Sequence, residues 1–203
     1  PMRARMTLCN MSAELGAQAG LIAPDTVTAN WLARRAPDRS LIDGFSDSHW
    51  ASDPDSHNGT LFSLDLDSLA PQAAAPHSPA NAAAITDHDS PQFTVAYIGA
   101  CTGAKLDDLR AAAGMLKGRT VASSTRLLVA PASSADQAQA ADEGVMAILE
   151  SAGATILATA CGMCAGYGPN RLAADDVCIS STARNFRGRM GAPGSRVWLA
   201  SPA

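Results

Sequence analysis

The sequence predicts an α/β fold of three layers, α/β/α, over a mostly parallel sheet, preceded by a helical segment and a long irregular connection. Three observations carry this reading. From residue 93 onward, short apolar runs alternate with stretches of helical periodicity. Strand, helix, strand, helix, strand in that order is the pattern of right-handed crossover units. Two glycine-rich loops with cysteines, GACTG at 99–103 and ACGMCAGYG at 160–168, each follow an apolar run directly, and the carboxyl ends of strands are where such sheets bind ligands.

The elements follow in chain order. Residues 6–23 are rich in Ala, Leu, Met and small residues and predict a mostly buried helix starting near Thr7 or Asn10. On that helix Asn10 and Glu14, four apart, share one face. A buried Glu there needs a partner; a solvated helix face is the alternative. A second helix is predicted over 26–35, with Pro24 and Asp25 at its start. Residues 37–92 hold all four histidines and many Pro, Asp and Ser residues, which predicts an irregular surface connection, interrupted by one strand candidate at 60–66. His49, His57, His77 and His88 lack metal-ligand spacing and read as solvated loop side chains. The resulting division is 1–36, 37–92 and 93–203.

The third region is regular. Residues 93–98 (FTVAYI) predict a strand ending at Gly99. Apolar residues at 106, 109, 113 and 116 predict a helix closed by Gly118. A strand at 126–130 follows. A capping box at 134–137 opens a helix running to about Ser151, with Val145, Ile148 and Leu149 inward and Gly153 at its end. Strands are predicted at 154–159, 177–180 and 196–200.

Composition narrows the function. A chain of 203 residues with 47% hydrophobic and 17% charged content suffices for one large domain or two small ones. Its net charge is −4 and its basic residues are dispersed except for Arg184, Arg187 and Arg189, so no nucleic-acid partner is expected. No apolar run approaches the ~18 residues of a membrane span, and no signal-peptide pattern opens the chain. Five cysteines without such a signal predict a reducing compartment, the cytoplasm, where thiolates bind metal or do chemistry. Both ends read as cut, which predicts a piece of a longer protein.

The thiols of Cys101, Cys161 and Cys164 are the strongest chemical signal. They admit a zinc site completed by Cys178 or a histidine, a four-cysteine cluster that recruits Cys178, or a [4Fe-4S] cluster held by the three alone, whose remaining iron is a Lewis acid. A purely structural loop with reactive thiols also stays open. Cys178, inside the apolar run VCIS, reads as a core thiol, and Cys9 can be one too.

Four motifs in order decide among these by resemblance. The GACT loop, the ACGMCAG loop, the segment RNFRGR at 184–189 and the helix core LCNMSAE at 8–14 together resemble the aconitase and isopropylmalate dehydratase superfamily. The stretch PHSP at 76–79 with Asn81 is similar to one in large subunits of that superfamily. The resemblance spans nearly the whole chain and is weakest between 37 and 70. It implies an aconitase-like α/β domain at 93–203 and a segment at 1–36 belonging to the preceding domain. It implies a [4Fe-4S] cluster on Cys101, Cys161 and Cys164, with Asn10 and Glu14 catalytic. Arg184 and Arg189 would bind substrate carboxylates, a role suited to a rigid two-pronged donor, with Arg187 solvated. The implied activity is a hydro-lyase acting on a malate-type hydroxy acid, most like an isopropylmalate dehydratase large subunit of leucine biosynthesis. A small swivelling subunit or domain would be its partner. Other hydratases of the family (aconitate, homoaconitate or 2-methylmalate type) and a non-catalytic iron–sulfur protein are the alternatives. Two departures put the substrate in doubt: Gly103-Ala-Lys105 replaces the Asn-Ser/Gly-Arg of the family, and Ala183 stands where aconitase has Asn.

Overall fold

The computed structural model describes every residue except 36, 37, 39, 41–49, 57, 58 and 203. His49 and His57 therefore lie outside the described residues. The chain forms two compact units, Pro1–Ser68 and Leu69–Ala203.

In the first unit, helix α1 (Met2–Met11) passes into a 3-10 turn at Ser12–Leu15. This corrects the expected helix over 6–23, which starts earlier and stops at Gly16. It also buries no residue: Leu8 and Leu15 are exposed. Apolar composition without a clear 3.6-residue stripe gave no register for burial. Asn10 lies on α1 and Glu14 on the tighter 3-10 turn that follows it. Helix α2 (Thr26–Ala33) forms as expected, because the Asp25 carboxylate accepts from the Val27 and Thr28 backbone N–H groups at its start. Arg5 of α1 donates to both Asp25 oxygens at 2.9 and 2.7 Å, tying the two helices. The strand expected at 60–66 does not form: Leu61, Phe62, Leu64 and Leu66 are exposed and none lies in a strand. Alternation alone is insufficient without a neighbouring strand to pair with.

The second unit is a sheet of seven strands in the order β2-β1-β7-β6-β3-β4-β5. They are β1 (Gln72–Ala74), β2 (Ala82–Ala84), β3 (Val95–Ile98), β4 (Arg126–Val129), β5 (Ala154–Ile156), β6 (Val177–Ser180) and β7 (Arg196–Leu199). Strands β7, β6, β3, β4 and β5 run parallel, while β1 pairs antiparallel with both β2 and β7. The α/β class and the mostly parallel sheet are those expected. Strands β1 and β2, by contrast, fall inside the stretch read as irregular connection. Their sequences, QAA and AAA, are small and carry neither alternation nor β-branched residues, so nothing marks them as strands.

The parallel strands bury side chains on both faces by strict alternation. Val95, Tyr97 and Leu128 enter one core cluster; Leu127 and Val129 enter the other, with Ala96 and Ile98 packed against it. Helices α4 (Leu106–Leu116), α5 (Ser134–Asp142) and α6 (Val145–Ser151) cover the second face. The first face is covered differently, by Met163, Leu172 and Met190 from the connections around β6. The single helix expected from 134 to 151 is two helices: Ser133, not Ser134, is the cap, and Gly144 at φ 74 separates them. Only glycine adopts that left-handed backbone at little strain.

Candidate functional site

The site is built on the carboxyl ends of β3 and β5. The chain leaves β3 at Gly99 and makes one helical turn, α3 (Ala100–Gly103), which carries Cys101 at the surface. Ala100 has φ 70, an unfavourable backbone for a residue with a Cβ. Such a residue costs about 1–3 kcal/mol and persists only where its surroundings over-determine it. Ser181, buried just beyond β6, supplies that restraint: its hydroxyl accepts from Gly99 N–H at 2.9 Å and lies 3.1 and 3.0 Å from the Gly99 and Gly103 carbonyls. Thr102 donates to the Ser181 carbonyl at 3.2 Å. A Cβ on Gly103 would collide with Ser181.

Residues 160–168 follow β5. Cys161 is exposed and Cys164 half-buried, the latter on a 3-10 turn (Met163–Ala165) whose Met163 plugs into the core. Burial pushes the Cys164 thiol up; a hydrogen bond and the charge of Arg189 oppose this, and Cys161 and Cys101 add to it. Cys164 thus lies within electrostatic reach of Arg189, Cys161 and Cys101. Tyr97, on β3, sits beneath them: burial raises its hydroxyl, with Cys164, Cys161 and Cys178 adding. The Arg189 guanidinium lies 5.5 Å over the Phe186 ring, and its buried Nε has no hydrogen-bond partner. Asn185, buried between the two arginines, donates to the Ala75 and Val197 carbonyls at 2.8 and 3.0 Å, which anchors the RNFRGR segment to the sheet. Arg184 is half-buried and its carbonyl accepts from Thr182 at 3.3 Å.

Cys178 lies on β6, fully buried, and burial pushes its thiol up to about 12. It is a core side chain, as its apolar surroundings in the sequence predict. Asn10 and Glu14 belong to the first unit, half-buried and exposed respectively. Sequence reasoning missed Ser181 and Tyr97. The only signal for Ser181 is a run of hydroxyl residues, SST, directly after a predicted strand.

Among the described residues no group of three or more His, Cys, Asp or Glu is arranged to hold a single metal ion. That excludes neither a cluster nor its donor set, because the thiolates of a cluster bind different irons and stand farther apart than the ligands of one ion. The donors present suit such a group: soft sulfur from Cys101, Cys161 and Cys164, with the partly buried Arg189 cation and its unsatisfied Nε beside Cys164.

Comparison with known proteins identifies the family. The chain is 39% identical over 200 residues to the 3-isopropylmalate dehydratase large subunit of Herpetosiphon aurantiacus, covering 98% of this chain and 44% of that protein. It is 40% identical over 199 residues to the homoaconitase large subunit of Thermus thermophilus, covering 98% and 44%. With the methanogen homoaconitase large subunit of Methanocaldococcus jannaschii it shares 37% identity over 203 residues, covering 99% and 48%. The chain therefore spans somewhat less than half the length of these curated relatives. The model of the aconitase family (aconitate hydratase) matches residues 1–95 and 89–203. Membership of that family implies an iron–sulfur cluster in general, and with the match running from the first residue to the last, this chain belongs to the aconitase family.

Proposed function

We infer that this chain is part of a hydro-lyase that dehydrates and rehydrates a malate-type hydroxy acid, most like a 3-isopropylmalate dehydratase large subunit. What supports the reading is that both cysteine loops leave the carboxyl ends of parallel strands, β3 and β5, with Cys101 and Cys161 exposed and Cys164 half-buried. Cys101, Cys161 and Cys164 would hold a [4Fe-4S] cluster. When bound, such a cluster supplies a Lewis acid for a substrate oxygen at the iron that has no protein thiolate.

The remaining roles belong to the chain's own side chains. Arg189, held beside Cys164 and stacked over Phe186, orients a substrate carboxylate through its planar fork, and Arg184 takes a second. Glu14 holds or delivers the proton at the substrate hydroxyl, with Asn10 as a hydrogen-bond donor. The base that removes the carbon-bound proton would come from a small subunit, a partner in keeping with relatives that are named large subunits. The reaction fits a place in cytoplasmic leucine biosynthesis; among the described residues no helix is long and apolar enough to cross a membrane. The homoaconitase-named relatives favour a second reading, a longer tricarboxylic substrate, for the same residues.

Anaerobic reconstitution of the natural full-length protein, followed by iron and sulfide analysis, tests the ligand set. Cys101→Ser, Cys161→Ser and Cys164→Ser each lose most of the iron, and Cys178→Ser keeps it. Unchanged iron in all of the first three, with loss in the fourth, would overturn the assignment. Turnover assays with isopropylmalate and homoaconitate then separate the two substrate readings.

A further inference from the structure

The turn that carries Cys101 is held by a buried charge. Lys105 and Asp108 are 8% and 5% exposed, although charged residues are rarely buried so far without a reason. The Lys105 ammonium donates to the Cys101 carbonyl at 3.0 Å and to the Thr102 carbonyl at 2.7 Å. Both carbonyls belong to the one-turn helix α3. Asp108 fixes the lysine from the other side: its Oδ2 lies 3.5 Å from the ammonium and accepts from the Lys105 backbone N–H at 3.1 Å. Asp108 is itself anchored in the first turn of α4, over the core that contains Leu109. The pair therefore forms an oriented dipole, with its positive end on the backbone of Cys101 and its negative end turned toward α4. A lysine capping the end of a helical turn is favourable for the same electrostatic reason.

The geometry points to Lys105 as a positioning residue for Cys101, whose ammonium both fixes the thiol-bearing turn and sets the potential of the metal group bound there, with Asp108 as its counter-charge. The inference rests on the cluster reading above and deepens it. Charges and hydrogen bonds close to the ligating sulfurs set the potential of a thiolate-held cluster.

The two ends of the dipole make opposite predictions, which no loss of packing does. In the reconstituted natural protein, redox titration followed by electron paramagnetic resonance reads the midpoint potential of the cluster. Lys105→Gln lowers it, since a positive charge beside Cys101 is gone. Asp108→Asn raises it, since the ammonium loses this counter-charge. Lys105→Arg keeps it near the native value and loses iron to a chelator within about twofold of the native rate, against roughly tenfold faster loss in Lys105→Gln. If Lys105→Gln does not fold, the sign in Asp108→Asn decides: an unmoved or lowered potential overturns the proposal. Shifts in one direction for both variants, or none in either, also overturn it. A native protein that takes up no iron overturns the cluster reading, and this inference with it. Native iron uptake with unmoved variants overturns this inference alone.

Discussion

At the scale of single residues, the cysteines differ by where the fold leaves them. Cys101 and Cys161 are exposed, Cys164 is half-buried with a raised thiol, and Cys178 is buried with a thiol pushed up to about 12. The thiolate is the reactive form. Timed alkylation of the metal-free native protein at mildly alkaline pH, read by mass spectrometry, therefore labels Cys101 and Cys161 first, Cys164 later and Cys178 last. The Cys101 turn depends equally on a residue distant in sequence. Ser181→Ala leaves the Gly99 N–H and two carbonyls without their hydroxyl, and a thermal melt should show a loss of about 1–3 kcal/mol. Gly103→Ala meets Ser181 backbone and Cβ rather than a flexible side-chain tip and should cost a similar amount, about 1–3 kcal/mol.

At the scale of elements, helix ends are governed by local chemistry that responds to pH and to backbone handedness. The Arg5 hydrogen bond, followed by the Thr28 backbone, depresses the Asp25 carboxyl to about 2. Because the folded value lies below the unfolded one, the tie between α1 and α2 is complete above the ordinary carboxylate range. It is lost as pH falls from about 4 toward about 2. Helicity followed by circular dichroism through that window should show a step in the native protein that is missing from Asp25→Asn. Between α5 and α6, Gly144→Ala forces a left-handed backbone on a residue with a Cβ, although nothing lies within 4 Å of that atom. The expected cost is about 1–2 kcal/mol from strain alone.

At the scale of the whole molecule, the second unit is a mostly parallel sheet whose helical face is one close-packed core. Leu109, fully buried in that core, is a place where truncation leaves a cavity. Leu109→Ala should cost about 2–5 kcal/mol in a denaturant melt and loosen α4, the element that carries Asp108. Much of this unit was legible in the sequence by itself. The Leu106–Leu116 helix and the strands β3, β4, β6 and β7 stand out because each carries a local signal: helical spacing closed by Gly118, or a compact apolar run ended by a turn residue. The motif order from Asn10 to Arg189 was legible too, and so was the core character of Cys178. The alanine strands β1 and β2, the exposed run at 60–66 and the break at Gly144 were not. The strands and the exposed run depend on which neighbours pair with them, a property of the folded chain rather than of local composition, and the break depends on the left-handed backbone that Gly144 adopts. The same division holds at the site. The sequence by itself determined which thiols and arginines are present and that their loops end strands. Only tertiary structure decided that Arg189, Cys161 and Cys101 lie within electrostatic reach of Cys164, and that Ser181 and the Lys105–Asp108 pair hold the turn. Contacts such as that between Gly99 and Ser181 close over 82 residues of chain, a distance at which sequence pattern carries no geometric information.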